Sequence, residues 1–143
     1  MPQYKKGDLF KAPGVHIVTA SSYLSQTSSL VMGLGAAYSM KLCYPDMPGI
    51  FGAMIKEYCG HLGTYGLLLH GTKGILQYKF HYRERPDAAL ICYGLKILSA
   101  VAEGRPTVVY NMNHPGLGYD KTGIPEVELL IEHLPANVHI WER

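Results

Sequence analysis

Apolar positions along this chain switch between two periods, and the switches divide it into alternating extended and helical stretches. Residues 15 to 20, VHIVTA, read as a strand with Val15, Ile17 and Val18 in its apolar set, bounded by Ser21 and Ser22. TYGLLLH at 64 to 70 reads as a further strand and VHIW at 138 to 141 as the last, while YKKGDLF at 4 to 10 predicts a short first strand or its end. In ILQYKFHYR, residues 75 to 83, Leu76, Tyr78, Phe80 and Tyr82 fall on one side and Gln77, Lys79, His81 and Arg83 on the other. That alternation predicts an extended segment with one buried and one basic face, either a solvated strand at the sheet edge or a surface that meets the phosphates and bases of a nucleic acid. Val108, Val109 and Tyr110 predict a buried central strand that hands over to a loop with Gly116, Gly118 and Gly123, then a helix from Ile124 or Pro125.

Helical spacing is clearest from Pro86 and Asp87 through Leu90, Tyr93, Gly94, Ile97, Leu98 and Val101, until Gly104 and Pro106 stop it. The last helix carries Ile124, Val127, Leu130, Ile131 and Leu134 on one face. In LVMGLGAAYSMKLCYP, Gly33 and Gly35 precede a run that reads as helical up to the break at Pro45, and PGIFGAMIKEYCGHLG predicts a short helix with Ile50, Met54 and Tyr58 on its buried side. Strands alternating with helices imply an α/β fold with a mainly parallel sheet covered on both faces. Ligands of such sheets sit at the carboxyl ends of the strands, where Ser21, His70 and Met112 are expected to fall.

Composition bounds the picture. A chain of 143 residues, 48% hydrophobic, has the size of one domain, taken as residues 1 to 143. Apolar runs such as GLLL and ALIC fall far short of the ~20 residues that cross a bilayer, and no basic-then-apolar leader is seen, so no membrane association and a cytoplasmic location are expected. Cys43, Cys59 and Cys92 form no C-x-x-C pair, so no metal site is signalled and reduced core cysteines are expected. A net charge of +2 demands no nucleic-acid partner, and no cofactor is called for. The default oligomeric state is a monomer.

Candidate chemistry centres on the glycine loops. The stretch from 107 to 126 has the strand, glycine loop and helix start with which α/β proteins build an anion site, which suits a phosphorylated small molecule. Gly33 and Gly35 form a G-x-G that lacks the third glycine of a dinucleotide fingerprint, and Asp120 stands before Lys121 and Thr122 where a Walker loop needs glycine. Ser21 and Ser22 are placed either to cap a turn or to contact a ligand, and His114 either to reach a diphosphate or to have no role.

Taken together, GDLF at 7 to 10, VMGLGAA at 31 to 37, TK at 72 to 73 and PGLGYDKTGIPEVELLI at 115 to 131 resemble the macro domain, an ADP-ribose-binding α/β module. The resemblance runs from about Lys6 to Trp141 and implies a three-layer fold with a mainly parallel mixed sheet. It implies that Asp8, with Leu9, contacts the adenine, and that Gly33 and Gly35, with Met32, wrap the diphosphate and distal ribose together with Pro115, Gly116, Leu117, Gly118 and Tyr119. Thr19, Ser21, Ser22 and Thr72 complete the implied ADP-ribose site. The sequence looks most like the branch of the terminal ADP-ribose protein glycohydrolase and of antitoxins that remove ADP-ribose from DNA. That branch has a catalytic lysine on the loop after a central strand, matched here to Lys73 in HGTKG, and an aspartate after the second glycine loop, matched to Asp120. Many macro domains carry asparagine after the second strand, and Ser21-Ser22 at that position suits the lysine branch. The chain departs in the segment between Lys73 and Pro86, which is longer than the glycohydrolase pattern, and in the loop HPGLGYDKTG.

A lysine and a carboxylate are the residue types that cleave a glycosidic or ester link at the distal ribose. The neutral amine attacks the anomeric carbon and the carboxylate moves protons, and a nucleophilic amine must be partly desolvated. The resemblance therefore implies an ADP-ribosyl hydrolase acting on modified protein or nucleic acid. Two other readings stand beside it, a non-catalytic binder of ADP-ribose or a related nucleotide, and an ADP-ribose 1″-phosphate phosphatase.

Overall fold

The computed structural model describes residues 1–115 and 124–142. Among them the elements run β1 (Gln3–Lys6), a 3-10 turn (Leu9–Lys11), β2 (Val15–Ala20), α1 (Gly35–Cys43), α2 (Met47–Tyr58), β3 (Leu67–His70), β4 (Lys73–Gln77), α3 (Ala88–Gly104), β5 (Tyr110–Asn113), α4 (Pro125–Glu132) and β6 (Val138–Glu142). The six strands form one sheet in the order β1-β6-β5-β2-β4-β3. All neighbours are parallel except β3 and β4, so the predicted mainly parallel mixed sheet is what forms.

Each sheet face has its own core, because successive side chains of a strand point to opposite faces. Ile17, Leu76, Met112 and Ile140 pack with Ile91, Leu95 and Leu98 of α3 and Val127 and Ile131 of α4. Val18, Ala20 and Ile75 pack on the other face with Ala37 and Met40 of α1 and Phe51 and Ile55 of α2. The result is three layers, helix pair on sheet on helix pair. β2, buried along its whole length, contributes to both cores, as does β4.

Local sequence explains most boundaries. Asp87 caps α3 by accepting from Leu90 N at 3.2 Å, and Pro125 opens α4 where its missing N–H costs nothing. Gly94 lets α3 lie close on the sheet, since a Cβ there would come within 2.9 Å of Leu76 Cγ and 3.0 Å of Gly66 O.

Several expectations are corrected. The central strand is Tyr110–Asn113 and leaves out Val108 and Val109, which were expected in it, because a turn closed by Val108 N to Arg105 O (3.1 Å) occupies the preceding stretch. Its polar letters are accommodated by pairing: fully buried Asn111 donates to Pro13 O (3.0 Å) and Val15 O (3.2 Å) and accepts from Trp141 Nε1 (2.9 Å). The buried side of α2 is Pro48, Phe51, Gly52 and Ile55, turned from the expected one, and Tyr58 is 62% exposed. Gly52 fixes that rotation, since a Cβ there would come within 2.9 Å of Leu30 N. The alternating segment from 75 to 83 is not an edge strand with a basic face. β4 ends at Gln77 and lies between β2 and β3, and both Gln77 and Lys79, two residues past the strand, are buried. The cysteines are free; half-buried Cys59 and Cys92 pack against the two cores, but Cys43 is exposed and is not a core residue. No helix among the described residues is long and apolar enough to cross a membrane.

Candidate functional site

The parallel strands β1, β2, β4, β5 and β6 all run the same way, so their carboxyl ends gather Asp8, Thr19 to Ser22, Gln77 to Phe80, and Asn113 to Pro115 at one end of the sheet. Asp8 is exposed and caps the 3-10 turn, its Oδ1 accepting from Phe10 N at 3.0 Å. Leu9 beside it is buried in the fold, as is Met32. Gly33 and Gly35 are exposed, with nothing within 4 Å of where a Cβ would stand, and Gly35 takes φ +59° at the start of α1. They leave open space at a helix N-terminus, where free N–H groups favour an anion.

Thr19 and Asn113 tie β2 to β5 by a reciprocal pair, Thr19 N to Asn113 Oδ1 and Asn113 Nδ2 to Thr19 Oγ1, both 3.0 Å. Ser21 closes a turn, while the Ser22 hydroxyl donates to Phe80 O (3.5 Å) and accepts from Gln77 Nε2 (3.0 Å). Ser21 Oγ accepts from Tyr23 N at 3.3 Å and Ser22 is fully buried, so both hydroxyls are spent inside the fold. Buried Pro115 follows His114, whose Nε2 meets Glu128 Oε1 of α4 at 2.8 Å. That contact fastens the end of β5 to the first turn of the helix.

Just past the end of β4, Lys79 is 7% exposed, and it is the one buried lysine among the described residues. Its Nζ donates to Tyr82 O at 2.8 Å and lies 4.6 Å from the centroid of the Tyr78 ring. The peptide around it is held by Ser22 N to Phe80 O (3.2 Å) and Tyr78 N to Ala20 O (3.0 Å). Beyond it, Tyr23, His61, His81 and Tyr82 form a ring cluster with centroids 4.5 to 5.0 Å apart. Fully buried Tyr65 donates its hydroxyl to Ser21 O at 2.9 Å, and burial, with smaller contributions from Cys59 and Tyr78, pushes its pKa well above the usual 10.0.

Lys73 stands elsewhere. It is the first residue of β4, paired across the ladder with His16 near the start of β2 and with His70 at the end of antiparallel β3. Four residues of strand separate it from Gln77, roughly 13 Å at about 3.3 Å per residue. It therefore lies at the amino ends of the parallel strands, and it does not follow a central strand but begins one. Its Nζ sits 4.4 Å over the Tyr44 ring, just past the end of α1, and donates to Thr72 Oγ1 at 3.0 Å. A cation beside a helix C-terminus and an aromatic face is adequately explained by those neighbours. Antiparallel pairing also takes His70 away from the carboxyl ends, and Met112 lies inside β5.

Gly116, Leu117, Gly118, Tyr119 and Asp120 lie outside the described residues. Residues the sequence reading passed over are Lys79, Gln77, Tyr65, Asn113 and the His114–Glu128 pair. One signal for Lys79 was present. The segment from Lys73 to Pro86 is too long for the glycohydrolase pattern, and counting from Lys79 shortens it. Among the described residues no group of three or more His, Cys, Asp or Glu side chains is placed to hold a metal.

Comparison with solved structures settles the architecture. The macrodomain of Thermus aquaticus DarG superposes with a TM-score of 0.72 at 20% identity, covering 100% of this chain and 99% of that one. The fold is that of the macrodomains. The macrodomain of Mycobacterium tuberculosis DarG gives 0.70 at 23% identity over 100% and 98% of the two chains. Thermosipho africanus DarTG, solved in complex with ADP-ribose, gives 0.70 at 17% identity over 97% of this chain and 41% of that one. No family model and no curated protein matches the sequence.

Proposed function

We propose that this macrodomain-fold protein binds ADP-ribose at the carboxyl ends of its parallel strands and hydrolyses the link between ADP-ribose and a modified protein or nucleic acid. The observation that carries the reading is Lys79, the one buried lysine among the described residues, just past the carboxyl end of β4. Support also comes from the likeness to a DarTG structure that holds ADP-ribose. Adenine is assigned to exposed Asp8, and the diphosphate to the open glycines Gly33 and Gly35 at the start of α1. Gly116, Leu117, Gly118 and Tyr119 would complete the second glycine loop.

In the proposed step the Lys79 Nζ, as a neutral amine, forms a bond to the anomeric carbon of the distal ribose. The bond to the modified macromolecule breaks, and the departing atom takes a proton from a carboxylic acid, assigned to Asp120. Water then adds to the same carbon, the lysine leaves with a proton, and free ADP-ribose is released. Lys73 was matched to this role on sequence, but its position at the amino end of β4 supports a packing role, and Lys79 takes its place.

The test is to incubate the protein in parallel with an ADP-ribosylated oligonucleotide, an ADP-ribosylated protein and ADP-ribose 1″-phosphate. Release of ADP-ribose from either macromolecule is expected. Release of phosphate alone would favour the phosphatase, and calorimetric binding of ADP-ribose with no turnover would leave a binding module.

A further inference from the structure

Gln77 ends β4 and is fully buried, on the sheet face that carries Ile75 and Tyr65. A primary amide in such a place costs free energy unless its groups are paired. Here they are, and the partners belong to the loops around the proposed site. Gln77 Oε1 accepts from Tyr65 N at 2.8 Å, and Nε2 donates to Gly63 O at 2.9 Å and Ser22 Oγ at 3.0 Å, with Lys79 O at 3.4 Å. Ser22 passes the connection on, its N donating to Phe80 O at 3.2 Å and its carbonyl accepting from Leu62 N at 2.9 Å. Leu62, 40% exposed, takes φ +61°, a conformation a leucine keeps only when its neighbours impose it. One carboxamide thus joins residues 20–22, 62–65 and 77–80.

Lys79 lies past the end of β4, where its peptide is held by Tyr78 N to Ala20 O, by Ser22 N to Phe80 O and by Gln77 Nε2, which reaches both Ser22 Oγ and Lys79 O. We infer that Gln77 is the positioning residue for Lys79. It fixes the first peptides after β4 against Ser22 and the 62–65 loop so that the Lys79 amine is held buried at the carboxyl end of the sheet. The inference rests on the reading of Lys79 as the working amine, but it has a readout of its own. A glutamine that merely filled the core would affect folding stability and leave the reactivity of Lys79 alone.

The experiment measures lysine reactivity in the folded protein by reductive methylation and peptide mass spectrometry. Wild type, Gln77→Met and Ser22→Ala are compared well below their thermal midpoints, Ser22→Ala carrying the measurement if Gln77→Met does not fold. In the wild type Lys79 is expected to label at least tenfold more slowly than exposed Lys41. In both variants the Lys79 rate should rise at least fivefold while Lys41 and Lys73 stay within twofold of wild type. With an ADP-ribosylated oligonucleotide, kcat should fall about tenfold while calorimetric affinity for ADP-ribose changes less than threefold. Unchanged labelling of Lys79 in the folded variants overturns the inference, and so does unchanged kcat. If the wild type turns over nothing, labelling decides by itself: a rise supports the hold of Gln77 on Lys79 and sinks only the hydrolase reading.

Discussion

Two side-chain amides, half-buried Asn137 at one end of the sheet and fully buried Gln77 at the other, mark how differently the ends are built. At the amino ends of the parallel strands, Asn137 Nδ2 donates to Ala102 O (3.0 Å), Arg105 O (3.0 Å) and Val108 O (2.9 Å), sealing the last turn of α3 and the turn that leads into β5. All three partners are backbone carbonyls of a helix end and the turn that follows it, two of which also accept from Arg105 N and Val108 N, so this hub reinforces secondary structure. At the carboxyl ends, Gln77 binds three separate loops and has the buried Lys79 next to it. The two lysines of β4 and its exit follow the same division. Lys73 rests over Tyr44 near the end of α1, whereas Lys79 is folded under the loop after the strand. A polar group that serves packing is used up by its nearest neighbours, while the groups at the carboxyl ends organise loops that surround open space.

The comparison breaks most visibly at the lysines. Lys79→Ala is expected to lower turnover of an ADP-ribosylated oligonucleotide by about 10³-fold or more, about 4 kcal/mol of barrier, with binding of ADP-ribose retained. Lys73→Ala should keep kcat within about threefold. Reversal of the two results in single-turnover assays would return the amine role to Lys73 and abolish the distinction between the ends.

Asn137→Ala should cost about 1–3 kcal/mol of unfolding free energy, since it removes three hydrogen bonds that tie the end of α3 to the turn before β5. Urea melts should record that loss, while ADP-ribose affinity in calorimetry stays as in wild type. A selective loss of affinity without loss of stability would mean that the amino end takes part in the site.

Asp8→Ala is expected to weaken ADP-ribose binding about tenfold, about 1.4 kcal/mol, together with a small loss from uncapping the 3-10 turn. Titration with ADP-ribose and, separately, with ribose 5-phosphate locates the effect. Equal weakening for both ligands would remove the adenine assignment.

Tyr65 offers the mildest test. Its phenol is raised well above 10.0 by burial, so the unfolded chain loses the proton first as the pH rises. The stability this group contributes is fully present below pH 10.0, the unfolded value, and is lost progressively above it. Tyr65→Phe should flatten the alkaline fall of the thermal midpoint measured from pH 9 to 11, at the cost of the bond to Ser21 O. An unchanged alkaline slope in the variant would assign it to other groups.

The amino-acid sequence by itself determined the alternation of strands and helices, and with it the parallel sheet and its two covered faces. VHIVTA forms β2 with the expected bounds, and Asp87 caps α3 where the pattern placed a helix start. These follow from local periodicity and capping chemistry, which need no distant partner. The glycines at the start of α1 were legible for the same reason. Tertiary structure decided what periodicity cannot encode. The alternation of ILQYKFHYR was read as one apolar and one solvated face, but Gln77 and Lys79 are buried because Ser22, Gly63, Tyr65 and Tyr82, far from them in sequence or folded back on them, supply their hydrogen bonds. YNMN became a central strand because Pro13, Val15 and Trp141 satisfy Asn111 and Thr19 satisfies Asn113. Which end of β4 a lysine occupies depends on where the strand starts and on which neighbour it pairs with. Those are long-range choices: the pairing of Lys73 with His16 places it at the amino end, and the termination of β4 at Gln77 leaves Lys79 at the other.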